Sequence, residues 1–244
     1  MIRNSISLYM ITLMWWCTGL ESHSQVAVSG YLEAGHTSNL EGYAAVSILP
    51  AYQYKQISAE IGFSALPSRN RETFINGLYL QGAYEFHIKD RSLVTQLKYL
   101  WKPVSNEIRE INLAVAADFS LDHWYFLLGN NFRRYGFRKS YRESQGYDRD
   151  ESTITEPWNL MYTVTFQIFP PEHNWNLSGS ITNIDYFIFE QETNPMVNIK
   201  GTFRPVSNID LFLESWYKSA GFFNIQVNYY GFFFRFGVTW TIGV

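Results

Sequence analysis

Cysteine is almost missing from this chain of 244 residues: the one present, Cys17, lies within the first twenty positions. Beyond it, neither a disulfide nor a thiolate metal site can form, although an exported location would permit disulfides. Charge of one sign is missing too. Lys and Arg number 19 against 22 Asp and Glu, with a formal net charge of −3 and no basic stripe. A nucleic-acid surface therefore has no electrostatic basis. Long apolar runs are absent after residue 24, and a mean hydropathy of −0.17 is too low for a bundle of spanning helices. No HExxH, paired-cysteine or phosphate-binding glycine motif occurs, and His87, His123 and His173 lack metal-ligand spacing. No metal or cofactor is expected.

The first residues read as an export signal. Arg3 supplies a positive start, and positions 6–20 are apolar apart from Ser7, Thr12, Cys17, Thr18 and Gly19. Ser22-His23-Ser24 then puts small residues where a signal peptidase reads, so 1–24 is expected to be a cleaved signal peptide and 25–244 the mature domain. The stretch is short of the roughly 20 apolar residues a spanning helix needs. A lipidated Cys17 is the competing reading, and Trp15-Trp16 before it argues against that, since such processing prefers small residues there.

What the mature part does have is aromatic residues and alternation. Phe, Trp and Tyr make up 18% of the chain, more than the 17% that is charged. Ile57, Ala59, Ile61, Phe63 and Ala65 alternate with Ser58, Glu60, Gly62 and Ser64. Leu93, Thr95, Leu97, Tyr99 and Trp101 alternate with Val94, Gln96, Lys98, Leu100 and Lys102. Similar period-2 stretches occur at 78–88 and 158–168, and weaker ones near 26–36, 42–53, 108–119, 123–135, 174–188, 195–205, 209–218 and 231–243. Such alternation marks strands with two different faces. Pro50 makes 42–53 the least convincing, and near Asn183 the polar and apolar faces change places, which reads as a β-bulge or a strand leaving the membrane.

Short and long connections also alternate. Tight links fall at 54–56, 89–91, 121–122, 170–173 and 206–208, and longer ones at 37–41, 66–74, 103–107, 136–157, 191–194 and 219–230. A secreted β-sandwich would also alternate its side chains, but gives no reason for alternating loop lengths. The expectation is an all-β, transmembrane, antiparallel up-and-down barrel of about twelve strands, with short turns at one end and longer loops at the other. Ile61, Leu80, Leu97, Leu113, Phe126, Val164, Leu177, Ile199, Leu211 and Phe234 then face lipid. Tyr99, Trp101, Trp124, Trp158, Trp175 and Trp240 fall near strand ends, where amphipathic rings suit the headgroup level.

The opposite face collects charge. Glu60, Glu85, Lys98, Lys102, Glu110, Lys200, Arg204, Glu214 and Arg235 are the expected lumen-lining residues, joined on that face by Glu33, Asp118 and Asp210. A charge facing lipid at midplane costs a few kcal/mol, so these must point inward. The signs are nearly balanced. They either line a narrow aqueous path or pair across strands into a lattice that fills it.

At the end of the chain, Phe232, Phe234, Phe236, Val238, Trp240 and Ile242 alternate with Phe233, Arg235, Gly237, Thr239 and Thr241. Within this stretch Arg235, Gly237, Trp240 and Ile242 resemble the C-terminal signal of bacterial outer-membrane β-barrel proteins: a polar residue, glycine, an aromatic and a hydrophobic residue. The trailing Gly243-Val244 departs slightly from the usual ending. The resemblance is to small, porin-like barrels of about twelve strands, and no narrower family is implied. It implies a place in the outer membrane of a Gram-negative cell, lipid and lipopolysaccharide as neighbours, and the outer-membrane assembly machinery as a partner during insertion through strand pairing. The oligomeric state stays open.

One further element resembles enzymes. His36-Thr37-Ser38-Asn39 is similar to the His-x-Ser-Asn element of lipid A deacylases, in which histidine would be the general base, Ser38 the nucleophile, and a carboxylate such as Glu41 the orienting group. Its position after the first strand departs from that family, which carries the element near the C-terminus. No catalytic residue is assigned on this basis. The expected function is a narrow channel for small solutes. The alternatives are a plugged barrel acting as scaffold, adhesin or accessory subunit through loops such as 136–157, and a deacylase-like hydrolase using His36 and Ser38.

Overall fold

A computed structural model of the chain describes residues 24–37, 40–67, 74–88, 91–103, 107–146, 154–169, 173–187, 195–218 and 231–243. The strands are β1 (Ser24–Thr37), β2 (Leu40–Tyr54), β3 (Ile57–Ala65), β4 (Ile75–Ile88), β5 (Arg91–Pro103), β6 (Ile108–Leu121), β7 (Trp124–Phe137), β8 (Ile154–Gln167), β9 (Trp175–Thr182), β10 (Met196–Val206), β11 (Ile209–Lys218) and β12 (Gly231–Gly243). A short helix, α1 (Lys139–Gln145), follows β7 and ends at Gly146 in the left-handed conformation. Each strand pairs antiparallel with its neighbours in sequence, and β1 pairs with β12 to close the barrel. Closure satisfies every edge, which is the condition for strands to cross a membrane.

Where neighbouring strands are joined by two residues, the backbone must turn sharply. Lys55 and Asp122, at φ 53° and 46°, adopt the left-handed region in the links between β2 and β3 and between β6 and β7. A positive φ at the first linking residue helps the chain reverse within two residues. Among the described residues, the two-residue links at 55–56, 122–123 and 207–208 lie at the end of the barrel that also holds Ser24 and Gly243.

The sequence alternation becomes an inside-out partition. Leu97, Leu128 and Leu213 are 52%, 62% and 57% exposed, while Lys98, Leu127 and Glu214 beside them are buried. Most of the expected lipid-facing residues are exposed, with Phe126 and Leu211 partly covered by neighbouring side chains. Trp124, Trp175 and Trp240 stand outward near the tight-turn end, and Trp101 and Trp158 near the other. Trp175 stacks on Phe203 at 4.3 Å, and Trp124 packs on Phe166 at 4.9 Å, so rings continue from strand to strand around that rim.

The least convincing of the expected strands is present, and one other stretch differs from the sequence reading. The doubtful 42–53 lies in β2, at 15 residues the longest strand. Pro50 pairs with Val28 on the β1 side, while on the β3 side the pairing lapses between Ile48 and Ala51. Proline lacks the N–H that this rung needs. The strand expected over 174–188 stops at Thr182. Beyond it the chain neither bulges nor continues outward: 183–187 folds into the barrel. The expected signal peptide lies outside the described residues except for Ser24, which begins β1.

Candidate functional site

The interior is organised by charges that the strand register sets side by side. Lys200, Glu214, Arg235 and Glu33 lie directly opposite one another on β10, β11, β12 and β1. They alternate in sign around the wall. Lys200 Nζ lies 3.0 Å from Glu214 Oε1, and Arg235 Nε donates to Glu33 Oε2 at 2.6 Å. Tyr43 on β2 donates its hydroxyl to Glu33 at 2.8 Å, and Trp216 Nε1 donates to Glu214 at 2.9 Å. Arg235 is 1% exposed, so this cation is stabilised wholly by protein groups. The rings of Tyr31 and Phe233 also face its guanidinium, each at 4.9 Å.

The remaining face of Arg235 is taken by the inward segment. Its Nη1 and Nη2 donate to the two Asp185 oxygens at 2.6 and 2.5 Å, a two-pronged bond that suits the planar guanidinium. Asn183 anchors the start of the segment: it accepts from the Tyr162 N–H at 2.8 Å and donates to the Leu160 carbonyl at 2.5 Å. One side chain thus completes two backbone groups of β8 left unpaired where β9 stops. Phe187 anchors the other end, packing on Tyr79 at 5.2 Å within a buried cluster that includes Leu49, Leu100 and Phe212. Tyr186 stacks on Tyr79, and Lys98 Nζ sits 4.0 Å over the Tyr79 ring and 5.6 Å from that of Tyr186. Tyr79 in turn donates a short hydrogen bond to Glu60.

A second charged cluster holds the opposite wall. Arg133 on β7 lies 3.2 Å from Glu110 and 3.6 Å from Glu156, and donates to Asn112 at 3.3 Å. Asn131 and Asn112 continue the network through a bond of 3.0 Å, and Asn112 donates to Glu110 at 2.8 Å.

Below these clusters the interior opens into a cavity of about 760 Å³. Ile184, Asp185 and Tyr186 contribute to its roof, and it reaches the tight-turn rim at Ser120 and Asp122. Its two sides differ. Inward positions of β8–β10 carry Thr163, Thr165, Ser178, Ser180, Asn198 and Thr202, whereas the wall across β6–β8 presents Ala114, Ala116, Leu127 and Met161.

Among the residues singled out from sequence, Lys98, Glu110, Glu214 and Arg235 are buried inside, and Glu60 and Lys200 face inward with partial exposure. Glu85 lies nearer the tight-turn rim, 3.8 Å from His87. Lys102 is half-buried opposite Glu110 on β6. Arg204 stands exposed at that same rim and donates to Asp210 at 2.7 Å. Gly237 lies against the first strand: a Cβ there would meet the Phe212 ring, the Gly30 carbonyl at 2.6 Å and the Tyr31 Cβ at 2.7 Å. Trp240 faces outward and Ile242 is half-buried. His36 is exposed and stacks on Phe232 at 6.3 Å, while Ser38 lies outside the described residues.

Arg133, Asn183 and Asp185 were not anticipated. The exchange of faces near Asn183 was the available signal for the last two, but a partner fifty residues away leaves no local pattern.

A closed antiparallel barrel with an apolar outer belt and a charged, hydrogen-bonded interior is the architecture of transmembrane β-barrels. No protein-family model matches the chain, and no curated protein matches it. Solved structures do. KdgM porin in complex with disordered oligogalacturonate is 9% identical, with a TM-score of 0.52 over 87% of this chain and 98% of that one. KdgM porin on its own is 8% identical with the same score and coverage. An outer-membrane channel from Pseudomonas putida F1 is 10% identical, with a TM-score of 0.48 over 91% and 97%. At these identities the likeness is one of fold: the chain folds as a small outer-membrane porin does.

Proposed function

We propose that this protein is an integral outer-membrane β-barrel working as a narrow channel for small solutes, with its path shut at mid-depth in the conformation described. In the orientation usual for such barrels, the tight turns and both chain ends face the periplasm. Lipid and lipopolysaccharide surround the apolar belt, and the assembly machinery is its partner during insertion. The observation that carries the reading is the cavity, which runs from the tight-turn rim to a roof to which Ile184, Asp185 and Tyr186 contribute from outside the strands of the wall. A roof that is not a strand can move without breaking the barrel. Purified protein in planar bilayers is expected to show small, infrequent conductance steps, and wild-type and D185N proteins both silent at every voltage would remove the channel reading.

A second reading is a permanently plugged barrel serving as a scaffold or accessory subunit. It is favoured by the filled interior above the cavity, where Tyr79, Leu100, Asn112 and Arg133 are 0–1% exposed. Silence of both proteins, with normal heat-modifiable migration, would favour it.

A further inference from the structure

We infer that the cavity below 183–187 is a binding site for a neutral, polyhydroxylated solute of disaccharide size. The inference deepens the channel reading and rests on it for the claim that this cavity lies on the solute path.

Apart from Asp122, which is exposed at the rim, the ionic groups that line the cavity already have protein partners. Asp185 is held by Arg235, Glu214 by Lys200 and Trp216, and Asp118 accepts from Gln96 at 2.8 Å. The groups left wanting are neutral. Among the described residues lining this cavity, the buried side-chain atoms without a hydrogen-bond partner are the Asn198 Nδ2 donor and the Asn176 Oδ1 acceptor. Asn198 lines the cavity and is 5% exposed. A buried polar group left unpaired is costly, and a bound partner would recover that cost. A hydroxyl both donates and accepts, so a polyol satisfies an unpaired donor and an unpaired acceptor with one kind of group.

Spacing and shape narrow the class. Asn198 lies opposite Ser180, and Asn176 opposite Thr202, with the Ser178–Lys200 pair between them. That separates the two amides by four residues of strand, about 13 Å at the usual rise, a span that one sugar ring does not cover and two rings do. The hydroxyls of Thr165 and Ser180 meet at 2.8 Å at the level of Asn198, and those of Thr163 and Thr182 at 2.7 Å one rung beyond it, so a patch of hydroxyl groups adjoins the Asn198 end of this span. The adjoining wall of Ala114, Ala116, Leu127 and Met161 on β6–β8 is apolar. A pyranose has a rim of hydroxyls and faces of C–H groups, and this cavity presents a complement to each. Its volume of about 760 Å³ falls in the range of small-molecule sites.

The test is equilibrium dialysis of the full, folded protein in detergent against labelled maltose, with lactobionate as an acidic disaccharide and the glucosamine dimer as a basic one. Saturable maltose binding at one site per barrel is expected, at least about tenfold tighter than either charged sugar. N198L and N176L are each expected to weaken it about tenfold, as loss of one buried hydrogen bond implies. A116L, which fills the cavity from the apolar side and leaves both amides in place, is expected to weaken it as well. Heat-modifiable migration confirms that each variant is folded. No saturable binding, equal binding of the charged sugars, or wild-type affinity in the folded variants would overturn the inference. Conductance separates this outcome from the channel reading: a conducting protein that binds no maltose loses only the site, and a silent protein that binds it loses only the channel.

Discussion

Asp185 and Arg235 form a two-pronged ion pair at 2.5 and 2.6 Å, although only Arg235 belongs to the barrel wall. Asp185 comes from a segment between strands, so the bond fastens a non-strand element across the interior. Several measurable consequences come from that bond and from the strands around it.

Replacing Asp185 by Asn keeps the shape and removes the charge. Arg235 retains Glu33 at 2.6 Å and Glu214 at 3.6 Å, so the wall keeps compensation while the segment loses its main tether. Single-channel recording is expected to show a higher open probability in D185N than in wild type, by several-fold. An unchanged record from a conducting protein would show that the segment does not limit passage.

Arg235 is the more damaging position. R235M leaves Glu33, Asp185 and Glu214 buried without their shared cation, and breaking such a buried pair typically costs about 3–5 kcal/mol. Urea unfolding of protein reconstituted in lipid is expected to show that loss. R235K should lose less, since lysine keeps the charge but not the planar fork.

Gly237 separates packing from assembly signalling. A Cβ there would collide with Phe212 and with the backbone of Gly30 on the neighbouring strand. G237A is therefore expected to lower the folded fraction in liposomes that contain no assembly machinery, read as loss of heat-modifiable migration. Normal folding there, with failure only in cells, would assign Gly237 to signal recognition alone.

The outer belt gives a fourth test. Leu213 is 57% exposed near the middle of β11, next to inward-facing Glu214. L213K is expected to destabilise the reconstituted barrel by about 2–4 kcal/mol, the usual cost of a midplane lysine on the lipid face. A loss below about 0.5 kcal/mol, normal for a water-exposed site, would argue against lipid around this strand.

The barrel was legible because its information is local. Two residues of spacing decide which way Leu97 and Lys98 point, and this repeats in every strand. Closure was legible too, from the even strand count and the alternating loop lengths. The inward segment was not, since Asp185 is defined by a partner fifty residues on and Asn183 by carbonyl and amide groups of β8. The sequence showed only a lapse in alternation, the trace left when a strand ends earlier than its hydrophobic pattern. The two amides of the cavity were hidden for a related reason: Asn176 and Asn198 look like any inward polar positions until the surrounding hydrogen bonds are assigned.

The row Lys200, Glu214, Arg235, Glu33 has one more consequence, because it runs across the seam where the first strand meets the last. A slip of one residue at that seam would turn Arg235 toward lipid, and a slip of two would set it against Tyr31 or Gly35 instead of Glu33. The joint thus verifies its own alignment: a chain closed at the wrong offset buries a cation opposite a ring or a glycine, and only the correct offset lets the charges cancel.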